Sequence, residues 1–206
     1  MEGAPEAASL PKSLHDILDG SAVELVRRAC PVMHFKAVKN DAEQEGTRRA
    51  HLEDGASMVR FLSWLETLSP GQMQETEIAA HLLSIRRENP NFISSSFETI
   101  CGSGPNGAIV HYRAIEDADS ALIGDSLLLV DSGAHYTSGT TDITRTMAIG
   151  TPSDEMRHAF TCVLRGHIAV ARARFPTDST GQQIDVLARG PLWAEGLDYA
   201  HGTGHG

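Results

Sequence analysis

The chain has 206 residues, of which 41% are hydrophobic, and its formal net charge is -10. This length can bury the core of one domain or slightly more, and the negative charge argues against nucleic-acid binding as the primary role. The first residues lack the basic start and apolar run of a signal peptide, and no apolar stretch of about 18 residues predicts a membrane span. The wide spacing of Cys30, Cys101 and Cys162 favours reduced thiols and a cytoplasmic location over a disulfide framework.

A long helix is predicted in the first third of the chain. Asn40 and Glu43 have the spacing of a capping box, in which the side chain of each residue binds the backbone N–H of the other. Apolar residues then recur at helical spacing, and Pro70 follows shortly after them. We therefore expect a helix from Asn40 that ends before Ser69, with an apolar face made of Met58, Phe61, Leu65 and Leu68.

A second helix is predicted from about Thr76. It should end before Asn89-Pro90, because the residue before a proline disfavours helical backbone. The apolar face of this helix comprises Ile78, Leu82 and Ile85.

The next stretch, from residue 92 to 112, is rich in Ser, Gly and β-forming residues. It predicts short strands at about Phe97 to Cys101 and Ala108 to Tyr112, joined by a turn at residues 103–107. His111 would then lie on a strand. A lone histidine in such a place is more often a half-buried structural residue than a catalytic one.

Two further helices are predicted in the last third of the chain. Thr151 has the position of an N-cap and Pro152 that of the first helical residue, and the apolar pattern continues to Phe175-Pro176. A shorter helix is expected at about Gln182 to Arg189. Helices and hairpins without βαβ alternation predict an α+β fold with a mostly antiparallel sheet. The apolar set of the first of these helices is Met156, Phe160, Val163, Leu164, Ile168 and Ala171.

Two aspartates flank a predicted strand–loop–strand segment. Asp131 ends the apolar run 127–130, and Asp142 precedes the run 143–148. If the loop folds back antiparallel, the two carboxylates lie near one another across the strand pair, where opposed positions are roughly 5 Å apart. That gap suits two divalent ions about 3.5 to 4 Å apart, with one carboxylate bridging them. Taken singly, an aspartate at a strand end is more often a turn former.

Residues 201–206 contain two histidines four positions apart, with glycines around them. Each glycine costs about 1 kcal/mol in a helix interior, so extended or turned backbone is expected. In a strand, four residues span about 13 Å, which prevents His201 and His205 from binding one ion together. At most one is then a ligand, and the other faces substrate. Carboxylates with one imidazole favour Mn(II), Co(II) or Zn(II) over a thiolate-type zinc site.

Six motifs follow one another along the chain. They are Ala37-Val38-Lys39-Asn40, Ser103-Gly104-Pro105-Asn106-Gly107-Ala108-Ile109-Val110-His111-Tyr112, Val130-Asp131-Ser132-Gly133-Ala134-His135-Tyr136, Gly139-Thr140-Thr141-Asp142-Ile143-Thr144-Arg145-Thr146, Gly166-His167-Ile168-Ala169 and Leu197-Asp198-Tyr199-Ala200-His201-Gly202-Thr203-Gly204-His205-Gly206. In this order they resemble aminopeptidase P, the Xaa-Pro aminopeptidases among the pita-bread metallopeptidases. The resemblance covers about residues 32 to 206.

The resemblance implies an incomplete pita-bread fold and roles for five residues. Asp131, Asp142 and His205 match metal ligands of the family, and Asp142 matches the carboxylate that bridges two divalent ions. His111 and His201 match histidines that line the pocket and contact the substrate or the oxyanion. The implied metal is Mn(II), with Zn(II) or Co(II) as alternatives. The implied reaction is hydrolysis of the first peptide bond by a water that the metals activate.

The family also has two metal-binding glutamates and a further pocket histidine, which we expect beyond residue 206. Its members carry one or two domains before the catalytic one. Residues 1–31 are therefore expected to be a remnant of a preceding domain or linker, and residues 32–206 a truncated catalytic domain. We expect such a chain to be inactive alone, because loss of a direct ligand should weaken metal binding more than the roughly 10- to 100-fold seen for outer partners.

The implied substrate is a peptide with proline in second position, from which the N-terminal residue is released. A pocket for the proline ring fits this preference because an Xaa-Pro bond has no N–H, and His201 is expected beside the ring. Further copies of the chain are the expected partners in the full-length protein. Two alternatives remain, an Xaa-Pro dipeptidase and a non-catalytic pita-bread protein that binds a partner. The presence of Asp131, Asp142 and His205 together favours an enzyme.

Overall fold

A computed structural model of the chain describes residues 11–21, 31–115 and 119–205. These residues form the helices α1 Lys12–Asp19, α2 Pro31–Ala37, α3 Asp41–Leu65, α4 Glu75–Arg87, α5 Asp154–Ala171 and α6 Gly181–Trp193. They form the strands β1 Phe92–Ser95, β2 Ile100–Ser103, β3 Ser126–Ser132, β4 Ala134–Tyr136, β5 Gly139–Thr140 and β6 Ile143–Ile149. Residues 1–10 and 22–30 lie outside the described residues, with Cys30 and most of the predicted remnant of a preceding region.

Two three-stranded sheets organise the strands, one in the order β1-β4-β5 and the other in the order β2-β3-β6. Every strand pair in them is antiparallel. The prediction of an α+β fold with a mostly antiparallel sheet is thereby confirmed for the described residues. We call the second of the two, with β3 at its centre, the β3 sheet.

The core lies between the β3 sheet and helices α3 and α4. Helix α3 begins with the predicted capping box, in which the Glu43 amide donates to Asn40 Oδ1 and the Asn40 amide donates to Glu43 Oε2, each at 2.9 Å. The helix ends at Leu65, about a turn before the predicted end. Burial of a large apolar side chain contributes about 1.5 to 3 kcal/mol. The core includes the predicted faces of both helices, with Met58, Phe61, Leu65, Ile78, Leu82, Ile85, Cys101, Leu128 and Val130.

Burial alternates along β3, so the two faces of the sheet differ. Leu128 and Val130 point into the core, whereas Leu127, Leu129 and Asp131 are partly exposed on the opposite face. We call this opposite side the open face. Side chains alternate along a strand, so the pairing of β3 with β6 adds Thr144, Thr146 and Ala148 to the open face. Helix α5 lies over one end of it, where Leu127, Thr146, Ala148, Met156 and Phe160 line a cavity of about 280 Å³.

Three predictions in the strand regions are wrong in detail. Residues 132–141 were predicted as a loop, but β4 and β5 form a hairpin there and β4 pairs with β1. Strand β2 starts at Ile100, where it begins to pair with β3, so residues 97–99 precede the strand. The predicted strand at Ala108 to Tyr112 is replaced by a 3-10 helix at Gly104–Ala108 and a turn.

Helix α5 begins two residues later than predicted. Its N-cap is Ser153, whose Oγ accepts a hydrogen bond from the Met156 amide at 3.2 Å. The amide of Thr151 instead donates to Asp125 Oδ1 at 2.8 Å, which holds Thr151 against the turn before β3. A hydrogen bond to a residue 26 positions earlier therefore determines where this helix starts.

Helices α5 and α6 pack on one another through small residues. Gly166 of α5 faces the backbone of Ala188 in α6, and a Cβ atom on Gly166 would clash with the Ala188 carbonyl oxygen. Helix α6 extends to Trp193, beyond the predicted end at Arg189. Much of the predicted apolar face of α5 is exposed, namely Phe160, Val163, Leu164 and Ile168.

The two described cysteines are free thiols, as predicted, and both are buried. Burial raises the pKa of the Cys101 thiol to about 12, and the nearby carboxylates of Glu75 and Asp119 act in the same direction. Among the described residues, no helix combines the length and apolarity that crossing a bilayer requires.

Candidate metal centre

Asp131 and Asp142 lie on the same side of the β3 sheet. In the antiparallel register of β3 and β6, Asp131 is opposite Thr144. The same register continues past the strand ends, because the Thr141 amide donates to the Ala134 carbonyl at 2.9 Å. Asp142 is therefore a diagonal neighbour of Asp131 and not its directly opposed partner. Diagonal positions are about 7 to 8 Å apart, which corrects the expected spacing of roughly 5 Å.

The carboxylate of Asp131 is fixed from the neighbouring strand. Thr144 Oγ1 donates to Asp131 Oδ1 at 2.7 Å. Asp131 remains partly exposed on the open face, and among the described residues its second carboxylate oxygen accepts no hydrogen bond. Thr144 thus holds one oxygen of this carboxylate in place, while the other oxygen can bind a cation.

His205 comes to the edge of the open face from the segment that follows α6. Its Nε2 lies 3.0 Å from Asp142 Oδ2, and the two side chains are 79% and 45% exposed. Two of the three predicted metal ligands therefore meet, although they are 63 positions apart in the sequence. A carboxylate and an imidazole so close together can share a proton or a cation.

The donor set fits a hard to borderline divalent cation. Two carboxylates and one imidazole are ligands that Mn(II), Zn(II) and Co(II) accept. Asp131 stands on the same face but is not in the direct contact that joins Asp142 to His205. Within residues 11–21, 31–115 and 119–205, no group of three or more His, Cys, Asp or Glu side chains is close enough to hold a metal ion.

His201 has a different environment from His205. Its Nδ1 contacts the Gly202 carbonyl at 2.8 Å, and its ring lies 4.7 Å from that of Tyr199 between centroids. The segment from residue 197 to 205 contains neither helix nor strand, which confirms the expectation that it is not helical. Of the two histidines, His205 is the one in contact with a predicted metal carboxylate.

His111 lies in a turn and not on the predicted strand. Its φ is 54°, a left-handed conformation that is uncommon for a residue with a side chain. The turn follows the 3-10 helix, and the side chain of His111 is exposed. The pocket role that the family resemblance implies for His111 stays a prediction.

A buried carboxylate, Glu75, explains why this part of the chain bends. Glu75 Oε1 accepts from the Ser103 amide at 2.6 Å and from Asn106 Nδ2 at 3.0 Å, while Glu75 Oε2 accepts from the Tyr112 hydroxyl at 2.8 Å. Burial and this hydrogen bond to the carboxylate raise the pKa of Tyr112 to about 12. The contacts hold residues 103–112 in a compact turn, with His111 beside the anchored Tyr112.

A second buried carboxylate, Asp54, binds the side chain of Thr141, the residue before Asp142. Arg86 binds it through two hydrogen bonds, Nε to Oδ1 at 2.7 Å and Nη2 to Oδ2 at 3.0 Å. The Tyr136 hydroxyl donates to Asp54 Oδ1 at 2.9 Å, and Thr141 Oγ1 donates to Asp54 Oδ2 at 2.6 Å. We call these four residues the Asp54 network. It ties the turn that carries Asp142 to helices α3 and α4.

The sequence reasoning did not single out Asp54, Arg86 or Glu75. One signal was available, because Asp54 lies four residues after Ala50 and four before Met58 and thus on the apolar face of α3. A charge on an apolar helix face is either paired or strongly destabilising. Its partners, however, come from other elements.

The β3 sheet thus presents two aspartates on one face, with a histidine held against one of them. The model of Metallopeptidase family M24 matches residues 45–206, and the chain belongs to this family. The family resemblance stated from the motifs is thereby confirmed.

Relatives of known name share nearly half of the aligned residues. The chain is 46% identical over 187 residues to the probable Xaa-Pro aminopeptidase P of Tuber melanosporum, covering 90% of this chain and 30% of the relative. It is 48% identical over 178 residues to the protein of the same name from Laccaria bicolor, covering 85% of this chain and 28% of the relative. The chain therefore spans about three tenths of the length of these relatives.

Solved structures of similar proteins have the same fold. An X-prolyl aminopeptidase from Caenorhabditis elegans, a cytosolic enzyme with a di-nuclear active site, aligns with a TM-score of 0.82 and 40% identity, over 86% of this chain and 30% of that one. An Xaa-Pro dipeptidase from Bacillus anthracis aligns with a TM-score of 0.78 and 27% identity, over 96% of this chain and 54% of that one. The predicted pita-bread fold is confirmed by these likenesses.

Proposed function

We propose that this chain is part of a metal-dependent Xaa-Pro aminopeptidase, which releases the N-terminal residue from peptides with proline in second position. The observation that carries the proposal is the 3.0 Å contact of His205 with Asp142 at the face that also presents Asp131. Relatives named Xaa-Pro aminopeptidase P support the substrate class.

Asp131, Asp142 and His205 would hold two divalent ions, for which we propose Mn(II), with Zn(II) or Co(II) as alternatives. When bound, such ions lower the pKa of a water molecule and stabilise the charge that develops on the substrate carbonyl oxygen. Thr144 would keep Asp131 oriented through its 2.7 Å hydrogen bond. The buried Thr141 would keep Asp142 at the end of its strand through its bond to Asp54.

His201 and His111 are proposed to contact the substrate and not the ions. The exposed imidazole of His201 is four residues before His205, and extended backbone of that length spans about 13 Å. His201 can therefore face a proline ring in the second position while His205 faces Asp142. We further propose a cytoplasmic location, association of copies in the full-length protein, and residues 1–31 as a remnant of a preceding domain or linker.

Metal binding provides the direct test of the ligand set. Mn(II), Co(II) and Zn(II) are titrated into the chain by calorimetry, together with the variants Asp142→Asn and, as a control, Asp154→Asn at the first turn of α5. We expect at least a 10-fold loss of affinity for Asp142→Asn and no change for Asp154→Asn. Equal affinities in all three proteins would refute the proposed ligands.

The reaction is tested in a chimera in which this chain replaces the matching segment of the nematode enzyme. We expect Mn(II)-dependent release of the first residue from a tripeptide with proline in second position, and none from the same chimera with Asp142→Asn. Cleavage of an Xaa-Pro dipeptide but not of the tripeptide would favour the dipeptidase alternative. Metal binding without hydrolysis of either peptide would favour a non-catalytic protein that binds a partner.

A further inference from the structure

Arg189, in the last turns of α6, makes four hydrogen bonds with its guanidinium group. Nε donates to Asp185 Oδ2 at 2.7 Å, one helical turn earlier. Nη1 donates to Asp198 Oδ1 at 2.8 Å and to the Tyr199 carbonyl at 2.7 Å, and Nη2 donates to the His201 carbonyl at 2.9 Å. Three of the four acceptors belong to the segment that leads to His205.

Further contacts close a ring around this guanidinium. The Tyr199 aromatic ring lies against it, with its centroid 4.0 Å from Arg189 Cζ. The Tyr199 hydroxyl is 2.6 Å from Thr203 Oγ1, and Thr203 Oγ1 in turn donates to Asp185. We call Asp185, Arg189, Asp198, Tyr199 and Thr203 the Arg189 network. It spans the chain from α6 to the residue two positions before His205.

The segment needs an external anchor because of its composition. Residues 201–205 alternate His, Gly, Thr, Gly and His, and they form neither helix nor strand. Glycine loses more conformational freedom on ordering than any other residue, and fixing each residue's backbone costs about 1 to 2 kcal/mol. No buried apolar side chain compensates for this cost in residues 201–205, which are all exposed.

We propose that Arg189 is the positioning residue of the histidine segment, and that it sets where His201 and His205 stand relative to Asp142. This inference rests on the proposed function, since it assigns to Arg189 the alignment of one proposed metal ligand and one proposed substrate contact. The four hydrogen bonds of Arg189 go to the Asp185 and Asp198 carboxylates and to the Tyr199 and His201 carbonyls, and none of these four acceptors is a histidine ring. Arg189 acts through backbone carbonyls and through Tyr199 and Thr203.

The geometry requires an arginine. A guanidinium presents five donors in a rigid planar fork and stacks on an aromatic face, whereas an ammonium is a compact charge on a flexible stem. Lysine at position 189 keeps the charge but cannot donate to Asp185, Asp198 and two carbonyls at once. Arg189→Lys therefore separates the loss of the fork from the loss of the charge.

The test measures segment order without metal, and then metal affinity. Heteronuclear NOE values of the backbone amides 199–204 are compared with those of residues 183–188 in α6, for the unchanged chain and for Arg189→Lys. Arg48→Lys, an exposed arginine of α3 that pairs with Glu45 at 3.4 Å, is the control. We expect low NOE values at 199–204 in Arg189→Lys, unchanged values in α6, and Mn(II) affinity about 10-fold weaker or more. Arg48→Lys should change nothing.

Two failures are distinguishable. Unchanged NOE values at residues 199–204 in Arg189→Lys overturn the positioning role, whatever the metal titration shows. If the unchanged chain binds no divalent ion while Arg189→Lys still loses order selectively, the proposed function fails and the positioning role stands. If Arg189→Lys also disorders α6, Asp185→Asn decides. It replaces one of the two carboxylate oxygens that accept from Arg189 and Thr203 with an NH2 donor, while Arg189 and Thr203 themselves are unchanged. Selective loss of order in Asp185→Asn supports the role, and full order overturns it.

Discussion

Asp142 Oδ2 and His205 Nε2 are 3.0 Å apart, but the segments that carry them are held by two networks that differ in burial. The Asp54 network holds the Asp142 side, and the Arg189 network holds the His205 side. In the Asp54 network, the Asp54 and Arg86 side chains are 0% and 2% exposed. In the Arg189 network, the side chains of Arg189, Asp185 and Asp198 are 15%, 33% and 53% exposed. The carboxylate side of the candidate centre is thus part of the core, whereas the histidine side is attached at the surface.

This difference determines what each network can contribute. A charge pair without water interacts strongly, but the loss of one partner leaves the other charge buried and unsolvated. A pair in contact with water loses little when it opens, because solvent replaces the partner. We therefore expect changes in the Asp54 network to alter the stability of the whole fold. Changes in the Arg189 network should alter the order of one segment.

The largest effect is expected for Asp54→Ala. It leaves the Arg86 guanidinium buried without its counter-charge and should lower the free energy of unfolding by about 3 to 5 kcal/mol. Urea denaturation measures this change. The control is Glu45→Ala, which removes the partner of Arg48 in a pair whose side chains are 68% and 76% exposed, and which should cost less than about 1 kcal/mol.

A double variant sharpens the same point. Asp54→Leu combined with Arg86→Met leaves no charge in the core and should be more stable than Asp54→Ala alone, since removal of both partners avoids the unpaired charge. If the double variant is as unstable as Asp54→Ala, the loss arises from packing and not from an isolated charge.

A smaller effect is expected for Thr141→Val, which keeps the side-chain shape and removes the hydroxyl. The hydroxyl donates to Asp54 at 2.6 Å and accepts from the Ala134 amide at 3.0 Å, so two buried polar groups lose a partner. The expected cost is about 1 to 3 kcal/mol by urea denaturation, with faster hydrogen exchange at the Ala134 amide. Thr146→Val, on the open face, should stay within about 0.5 kcal/mol. Equal costs for the two variants would contradict the role of the hydroxyl.

Periodicity predicted the parts of the molecule that local physics determines. Helices α3 and α4 follow from apolar spacing and the Asn40 capping box, and the pairing of β3 with β6 follows from two apolar runs joined by a turn-forming segment. The nearness of Asp131 and Asp142 is a consequence of that pairing, with the register as the single correction.

Long-range polar contacts account for much of what the sequence did not predict. The turn at residues 103–112 depends on Glu75, which is 28 positions before the Ser103 amide that it binds. The start of α5 depends on Asp125, and the course of residues 198–203 depends on Arg189. In each case a charged side chain binds a partner that only the tertiary structure brings near, so no periodic pattern in the sequence predicts the contact. The family motifs, in contrast, indicated His205 without any contact information.

The smallest effect on global stability is expected from acid, acting on the Arg189 network. Hydrogen bonds from Thr203 and Arg189 hold the pKa of Asp185 below its usual value of 3.8. Bonds from Trp193, the Tyr199 amide and Arg189 do the same for the pKa of Asp198. A lowered pKa in the folded state means that the contribution is complete above about pH 4 and is lost as the pH falls through the lowered values.

Between pH 8 and 5 the amides of Tyr199 and Thr203 should therefore keep their NOE values, and below about pH 4 they should lose order. The Asp185→Asn variant, whose amide does not titrate, should show reduced order at every pH. Loss of order between pH 7 and 6 would contradict control of the segment by Asp185 and Asp198, because the pKa values of both carboxyl groups are lowered from 3.8 and lie far below that range.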